Sequence, residues 1–336
     1  MSSGKGNTKK FEIKVTSLLI IIVGTIILLG GILYYLFVPR EEKNVSVDIL
    51  PSFLDVVSPH FLFNIHGAIG VKLLRPMDVY YDEKDRLIII SNTEGHTIEV
   101  FKEQGEHLFT FGGFGSEPGK LSFPYGVVRT LKGDYLVAEA GNRRIQRFSA
   151  TGEYLGTILN QPNNYNIEKP GPLKIDSQGN IYIGDLSGNK VVVLDQQGKI
   201  IETFTGVLYP HGIAVDEKNN RLFVASSGTG EIKIFPLGRQ KNEQDTLLTE
   251  NLLAYSKSNL GIIRGLSVDK EGRLFIVDSL LGNITIFDEN GVILNSFGGP
   301  GNDNGNMLYP NGIYVDDSRR VYIADWANNR IVVWGY

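Results

Sequence analysis

Residues 111–127 read FGGFGSEPGKLSFPYGV, and residues 297–313 read FGGPGNDNGNMLYPNGI. At a constant offset of 186, Phe111, Gly112, Gly113, Gly115, Gly119, Pro124 and Gly126 match Phe297, Gly298, Gly299, Gly301, Gly305, Pro310 and Gly312. A gapless match of seven such residues marks a chain assembled from copies of one unit. The Pro-x-Gly element at its end has further counterparts. They are Pro76-Met77-Asp78, Pro170-Gly171-Pro172, Pro210-His211-Gly212 and Ile263-Arg264-Gly265. The six starts lie 48, 46, 40, 53 and 47 residues apart.

Each unit follows one plan. A short apolar strand ends near an acid, as in Ile213-Ala214-Val215-Asp216. A turn such as Asp176-Ser177-Gln178-Gly179-Asn180 leads to a second strand, for example Ile181-Tyr182-Ile183. A third strand follows, as in Arg330-Ile331-Val332-Val333-Trp334, and a fourth, as in His107-Leu108-Phe109-Thr110-Phe111. The runs are short, β-branched or aromatic, and bounded by Gly, Asn and Asp. No segment after residue 38 sustains a helical period. Four strands in 40–53 residues, six times over, predict an all-β, six-bladed β-propeller of four-stranded antiparallel blades over residues 60–336. Glycine is abundant, 39 of 336 residues. Tight turns needing positive φ account for it, with Pro-x-Gly read as the turn opening each blade. Residues 236–258 form the longest insertion, and its polar first half reads as a loop extending one blade.

The sixth unit stops after its third strand at Tyr336, while His60-Phe61-Leu62-Phe63-Asn64-Ile65-His66 resembles a fourth strand. Residues 60–66 are therefore expected to complete the last blade beside 330–335, removing an open sheet edge.

These motifs resemble the NHL-repeat propellers over about residues 60–336. The resemblance rests on the FGGxG segment, the Pro-x-Gly strand start, and Ala324-Asp325-Trp326-Ala327-Asn328-Asn329-Arg330-Ile331. The last recurs in altered form as Ala138-Glu139-Ala140-Gly141-Asn142-Arg143-Arg144-Ile145. It implies the fold but no single function, because fold does not fix chemistry.

In a propeller the loops of one face converge near the axis. The middle residues of the six strand starts are Met77, Tyr125, Gly171, His211, Arg264 and Asn311. Tyr125, His211, Arg264 and Asn311 are the candidate ligand-binding residues of that face, joined by Trp326, since an exposed Trp often anchors a partner. A second ring, Asn92, Glu139, Asp185, Ser226, Asp278 and Asp325, ends the second strands. Short polar side chains there are expected to hold turns rather than ligands. Zinc of the kind held by amidating-lyase-like propellers needs about three protein ligands. Of five histidines only His211 lies on the axial ring. Calcium of the lactonase-like kind needs several oxygens, and the ring offers Asn311, with Asp78 nearby. No catalytic residue, metal or cofactor is expected. The chain has no cysteine, so disulfides, Cys-held zinc, iron–sulfur clusters and thiol nucleophiles are excluded.

One segment departs from the repeat. Val15 to Val38 carries no charge over 24 residues, enough to span a bilayer as a helix. Lys5, Lys9, Lys10 and Lys14 precede it and place the N-terminus in the cytoplasm. The expected organisation is a tail at 1–14, a transmembrane signal anchor at 15–38, a linker at 39–59 and an extracytoplasmic propeller at 60–336. The net charge of −4 divides into +3 over the first 38 residues and −7 beyond them. An acidic propeller is a poor nucleic-acid binder. The favoured function is a membrane-anchored binding or scaffolding module for a protein, peptide or glycan. The alternative is a metal-dependent hydrolase or lyase using the axial pocket.

Overall fold

The computed structural model describes residues 58–159, 166–238, 240, 242–259 and 261–336. The proposed cytoplasmic tail and transmembrane helix, and nearly all of the linker, lie outside the described residues. Among the described residues no helix is long and apolar enough to cross a membrane.

Among the described residues, twenty-five strands form six antiparallel sheets and one small hairpin, Gly67–Ala68 with Val71–Lys72. The first blade comprises β4 (Asp78–Asp82), β5 (Leu87–Asn92), β6 (Thr97–Lys102) and β7 (His107–Gly112). The second comprises β8 (Pro124–Arg129), β9 (Tyr135–Glu139), β10 (Arg144–Phe148) and β11 (Tyr154–Leu159). The third runs from β12 (Pro170–Ile175) through β13 (Ile181–Asp185) and β14 (Lys190–Leu194) to β15 (Ile200–Phe204). The fifth contains β19 (Ile263–Val268), β20 (Leu274–Asp278), β21 (Asn283–Phe287) and β22 (Ile293–Gly298). In the sixth, β23 (Pro310–Val315), β24 (Val321–Asp325) and β25 (Arg330–Gly335) are completed by β1 (His60–Ile65).

The closure expected from the sequence is present. His60 pairs with Gly335 and Ile65 with Ile331, with a bulge between Phe61 and Phe63. Phe61 meets Trp334 edge-on at 6.4 Å, and Ile65 is buried in the apolar seam between the sixth and first blades.

The fourth blade differs from the expectation of four strands. Among the described residues it has three: β16 (Pro210–Asp216), β17 (Arg221–Ser226) and β18 (Glu231–Pro236). The insertion 236–258, whose polar first half was expected to be a loop, contains most of helix α1 (Glu243–Asn259), which begins inside that first half. Asn242 caps it, its side chain accepting from the Asp245 N–H at 2.8 Å while the Asp245 carboxylate accepts from the Asn242 N–H at 3.0 Å. Leu248 and Leu252 are buried beside Phe223 and Phe287, in the seam between the fourth and fifth blades. The helix is stabilised by packing these leucines on a sheet rather than by propensity alone.

Pro-x-Gly is also not a turn. Pro124, Pro170, Pro210 and Pro310 are the first residues of their strands, each followed by a bulge in the ladder. Gly126, Gly212, Gly265 and Gly312 do not take positive φ. They are glycine because neighbouring blades touch there. A Cβ on Gly126 would lie 2.5 Å from the Leu173 nitrogen of the next blade. One on Gly212 would fall on the Arg264 carbonyl, and one on Gly265 on the Asn311 carbonyl. Close approach of inner strands, as well as turn geometry, explains the glycine content. Positive φ does operate in the FGGxG segments, at Gly119 (84°) and Gly305 (83°).

The two sequence signatures are partners in space. The guanidinium of Arg330 bonds the buried Asp325 carboxylate at 2.8 Å and donates to the carbonyls of Asn302, Asp303 and Asn306. Arg144 does the same with Glu139 and the carbonyls of Ser116, Glu117 and Lys120. Asn142 and Asn328 reach the carbonyls of Gly115 and Gly301, both at 2.9 Å. The FGGxG loop is thus folded around the Asn and Arg of the second motif.

All six members of the second ring staple backbone. Asn92, Glu139, Asp185, Ser226, Asp278 and Asp325 accept from the N–H groups of Leu74, Ser122, Glu168, Leu208, Gly261 and Leu308. Each holds the segment entering its own blade, as expected for short polar side chains.

Candidate functional site

Because each inner strand starts at the axis, the second residue of each start faces the same point. Tyr125, His211, Arg264 and Asn311 line one cavity with Met77, Asp78 and Lys174. Gly171 does not reach it, and Pro172 lines it instead. Trp326 stands apart. It sits at the turn after β24, with the Arg75 guanidinium 4.4 Å from its ring centre and Tyr309 edge-on at 6.5 Å. The cavity is narrow, about 20 Å³, room for about one water.

A hydrogen bond of 2.7 Å joins the Tyr125 hydroxyl to His211 Nδ1. Burial drives the His211 pKa down to about 3, reinforced by Arg264 and Lys169. Burial raises that of Tyr125, with Arg264 opposing. His211 is therefore neutral through the physiological range. Its ring resonances are expected to stay flat from pH 5 to 8 in an NMR titration. An inflection inside that window would contradict the assignment.

Asp78 and Lys174 form the buried charged floor. Asp78 accepts from its neighbour, the Val79 N–H, at 3.0 Å, and Lys174 donates to the Ile313 carbonyl at 3.4 Å. Burial lifts the Asp78 carboxyl to about 6 against the pull of Lys174, and burial lowers the Lys174 ammonium against the pull of Asp78. Lys174 also lines a second opening at the opposite end of the axis, with Glu83, Glu217, Asp317 and Tyr314. Sequence reasoning missed this lysine. The signal was available: Lys174 stands where the other inner strands carry Tyr80, Val128, Ala214, Ser267 and Tyr314.

The residue just before the proline that leads into the inner strand is unusual in four blades. Arg75, Phe123, Tyr209 and Tyr309 take φ of 48°, 49°, 51° and 50°, a region that disfavours bulky side chains. Three are held by the preceding blade: Arg75 N–H by Asn329, Phe123 N–H by His96 and Tyr209 N–H by Asn189. The result is three aromatics, Phe123, Tyr209 and Tyr309, each roughly half exposed on one face.

The donor set can be tested against a divalent ion. Calcium takes six to eight oxygens and catalytic zinc about three protein ligands. The axial cavity brings one carboxylate, Asp78, together with two cations, Lys174 and Arg264, while Glu83, Asp216, Glu217, Asp269 and Asp317 line the opening at the other end. Among the described residues no group of three His, Cys, Asp or Glu side chains is placed to hold a metal. The residues present do not fit a lactonase-type ion. They suit a neutral or anionic group offered to Arg264, Tyr125 and Asn311.

Comparison with known proteins gives two family matches. The SMP-30/Gluconolactonase/LRE-like region matches residues 79–308, and the NHL repeat matches residues 307–334. The second covers the blade in which the Asn-x-Arg-Ile motif is unaltered. Human NHL repeat-containing protein 3 is 28% identical over 176 residues, 48% of this chain and 50% of that protein. A gluconolactonase from Zymomonas mobilis is 27% identical over 213 residues, 57% of this chain and 58% of that protein. In each curated relative the matched region is under two thirds of its length. The structure of a gluconolactonase from Xanthomonas campestris superposes with a TM-score of 0.61 at 16% identity, covering 84% of this chain and 95% of that one. A likeness at that identity speaks for the fold alone.

Proposed function

The chain belongs to the SMP-30/Gluconolactonase/LRE-like family, and from that premise we propose that it is a binding module rather than a lactonase. One observation carries the reading: the cavity lined by Tyr125, His211, Arg264 and Asn311 pairs a single carboxylate with two cations in a space of about 20 Å³. That set neither suits a divalent ion nor admits a sugar lactone. Recognition falls instead to the surrounding face, where Phe123, Tyr209 and Tyr309 stand exposed. Aromatic and arginine anchors of this kind dominate protein and peptide interfaces, and aromatic rings also stack on glycans. We place the propeller outside the cytoplasm, tethered by the uncharged stretch 15–38. Protease added to cells with any outer barrier opened is expected to digest it, and protection would overturn that placement.

The second reading, a metal-dependent hydrolase or lyase, is favoured by the relatives named as gluconolactonases. One set of measurements on the purified full chain separates the two. Elemental analysis is expected to find no stoichiometric divalent metal, and gluconolactone hydrolysis should not respond to added calcium, manganese or zinc. A captured partner should be retained by the parent and weakened at least tenfold by Tyr209→Ala with Tyr309→Ala. Metal-dependent lactone turnover lost in Asp78→Asn would establish the hydrolase instead.

A further inference from the structure

We propose that the seam between the second and third blades binds a carboxylate-headed aliphatic chain. Each seam is sealed by an apolar cluster from two successive blades. Five of these clusters contain buried aromatic rings: Tyr81, Phe101 and Tyr322 in one, and two or three rings in each of the others. In the seam between the second and third blades the buried members are all aliphatic. The forward-facing position of the second strand explains why. It holds Tyr182, Phe223, Phe275 and Tyr322 in the third to sixth blades, and Leu136 in the second. The first blade lacks an aromatic there too, but its seam receives Tyr135 and Phe148 from the second.

Where the ring is missing, the seam opens. A groove of about 310 Å³ lies between the turn 130–134, the turn 176–180 and the turn 195–198. These turns follow the far ends of their strands, so the groove faces away from the axial site. Its walls are Leu131, Leu136, Ile158, Ile175, Ile181 and Leu194. The volume is at the lower bound of small-ligand sites, and apolar cavities half that size accept hydrocarbon guests. Leu131 is 56% exposed at the rim. Gly179 makes room for it, since a Cβ there would lie 3.0 Å from a Leu131 methyl.

The rim selects the head group. Asp134 accepts from Arg147 at 2.8 Å, and Asp195 accepts from the backbone N–H groups of Gln197 and Lys199 at 2.9 and 2.8 Å. Both carboxylates thus have donors within the protein. Lys132, exposed on the same rim, forms no ion pair among the described residues. A chain of aliphatic carbons in the groove would bring a terminal carboxylate to this ammonium and the nearby amides.

The test uses full-length protein in nanodiscs and a diazirine-bearing dodecanoate. Crosslinks mapped by mass spectrometry are expected at residues 131–136 and 194–198, and excess dodecanoate should compete them away. Leu136→Phe, which restores a ring at the position of Tyr182 and Tyr322, should reduce labelling at least tenfold. The exposed-site variant Leu131→Glu should do the same without touching the core. Lys132→Glu should weaken dodecanoate labelling and leave the corresponding alcohol probe unchanged. Labelling that maps elsewhere, or that survives Leu136→Phe and Leu131→Glu, overturns the site. Equal labelling by acid and alcohol overturns the carboxylate. The axial reading is untouched by any of these outcomes.

Discussion

Removing residues 58–66 should lower the melting temperature by more than 10 °C and drive aggregation. The deletion strips β25 of its partner and exposes the edge at Arg330–Gly335. It also withdraws Ile65, fully buried in the seam between the sixth and first blades, and the Phe61 contact to Trp334. Loss of the Ile65 side chain alone is worth about 2–5 kcal/mol. In a domain of this size each kcal/mol moves the midpoint by roughly 2–4 °C. Thermal unfolding followed by circular dichroism, with size-exclusion chromatography, measures both effects. An unchanged midpoint with the elution profile of the parent would mean that the ring does not depend on its closing strand.

The second large effect is expected at Arg330. Arg330→Ala should cost about 3–5 kcal/mol, because it leaves the buried Asp325 carboxylate without its counter-charge and three carbonyls without their donor. Burial already raises the Asp325 carboxyl above its usual value, with Asn328, the Leu308 N–H and Arg330 pulling the other way. Removing Arg330 raises it further. A carboxyl with a raised folded pKa binds a proton more tightly in the folded state. Stability is therefore lost as pH rises, and the variant should be more damaged at pH 8 than at pH 5. Arg144→Ala should repeat the loss in the second blade, where Glu139 and three carbonyls are placed alike. The sites lie in blades that are not neighbours, so the double variant should be additive within about 0.5 kcal/mol. Urea denaturation reads all three, and a loss below 1 kcal/mol in Arg330→Ala would contradict the account.

Much of this architecture was legible in the sequence because it is periodic. Strand order, blade count and the closing strand follow from local alternation repeated at fixed spacing. The axial set was legible for the same reason: Tyr125, His211, Arg264 and Asn311 occupy one place in the repeat. What escaped is non-local. Pro-x-Gly looks like a turn because Pro and Gly make turns, yet its glycine answers to the backbone of the next blade. Helix α1 carried a readable cap at Asn242 and Asp245, but of its described buried positions, Asp245, Leu248 and Leu252, only two are apolar, and they pack on a sheet distant in sequence. Lys174 was visible only as an exception within a column of otherwise uncharged residues. The groove at Leu136 depends on which neighbour supplies a ring, and no single stretch of sequence states that.

The closing strand also fixes a timetable. Ile65 pairs with Ile331, 266 residues later in the chain. At about 5–20 residues per second, a ribosome needs roughly 13 to 50 s to make what lies between them. Through that interval β1 has no partner strand, and the first blade lacks the neighbour that will cover Tyr81 and Ile88. The nascent protein must keep an apolar strand unpaired while five blades form behind it. The ring shuts only when β25 has cleared the exit tunnel, so closure is the last step in the assembly of the propeller.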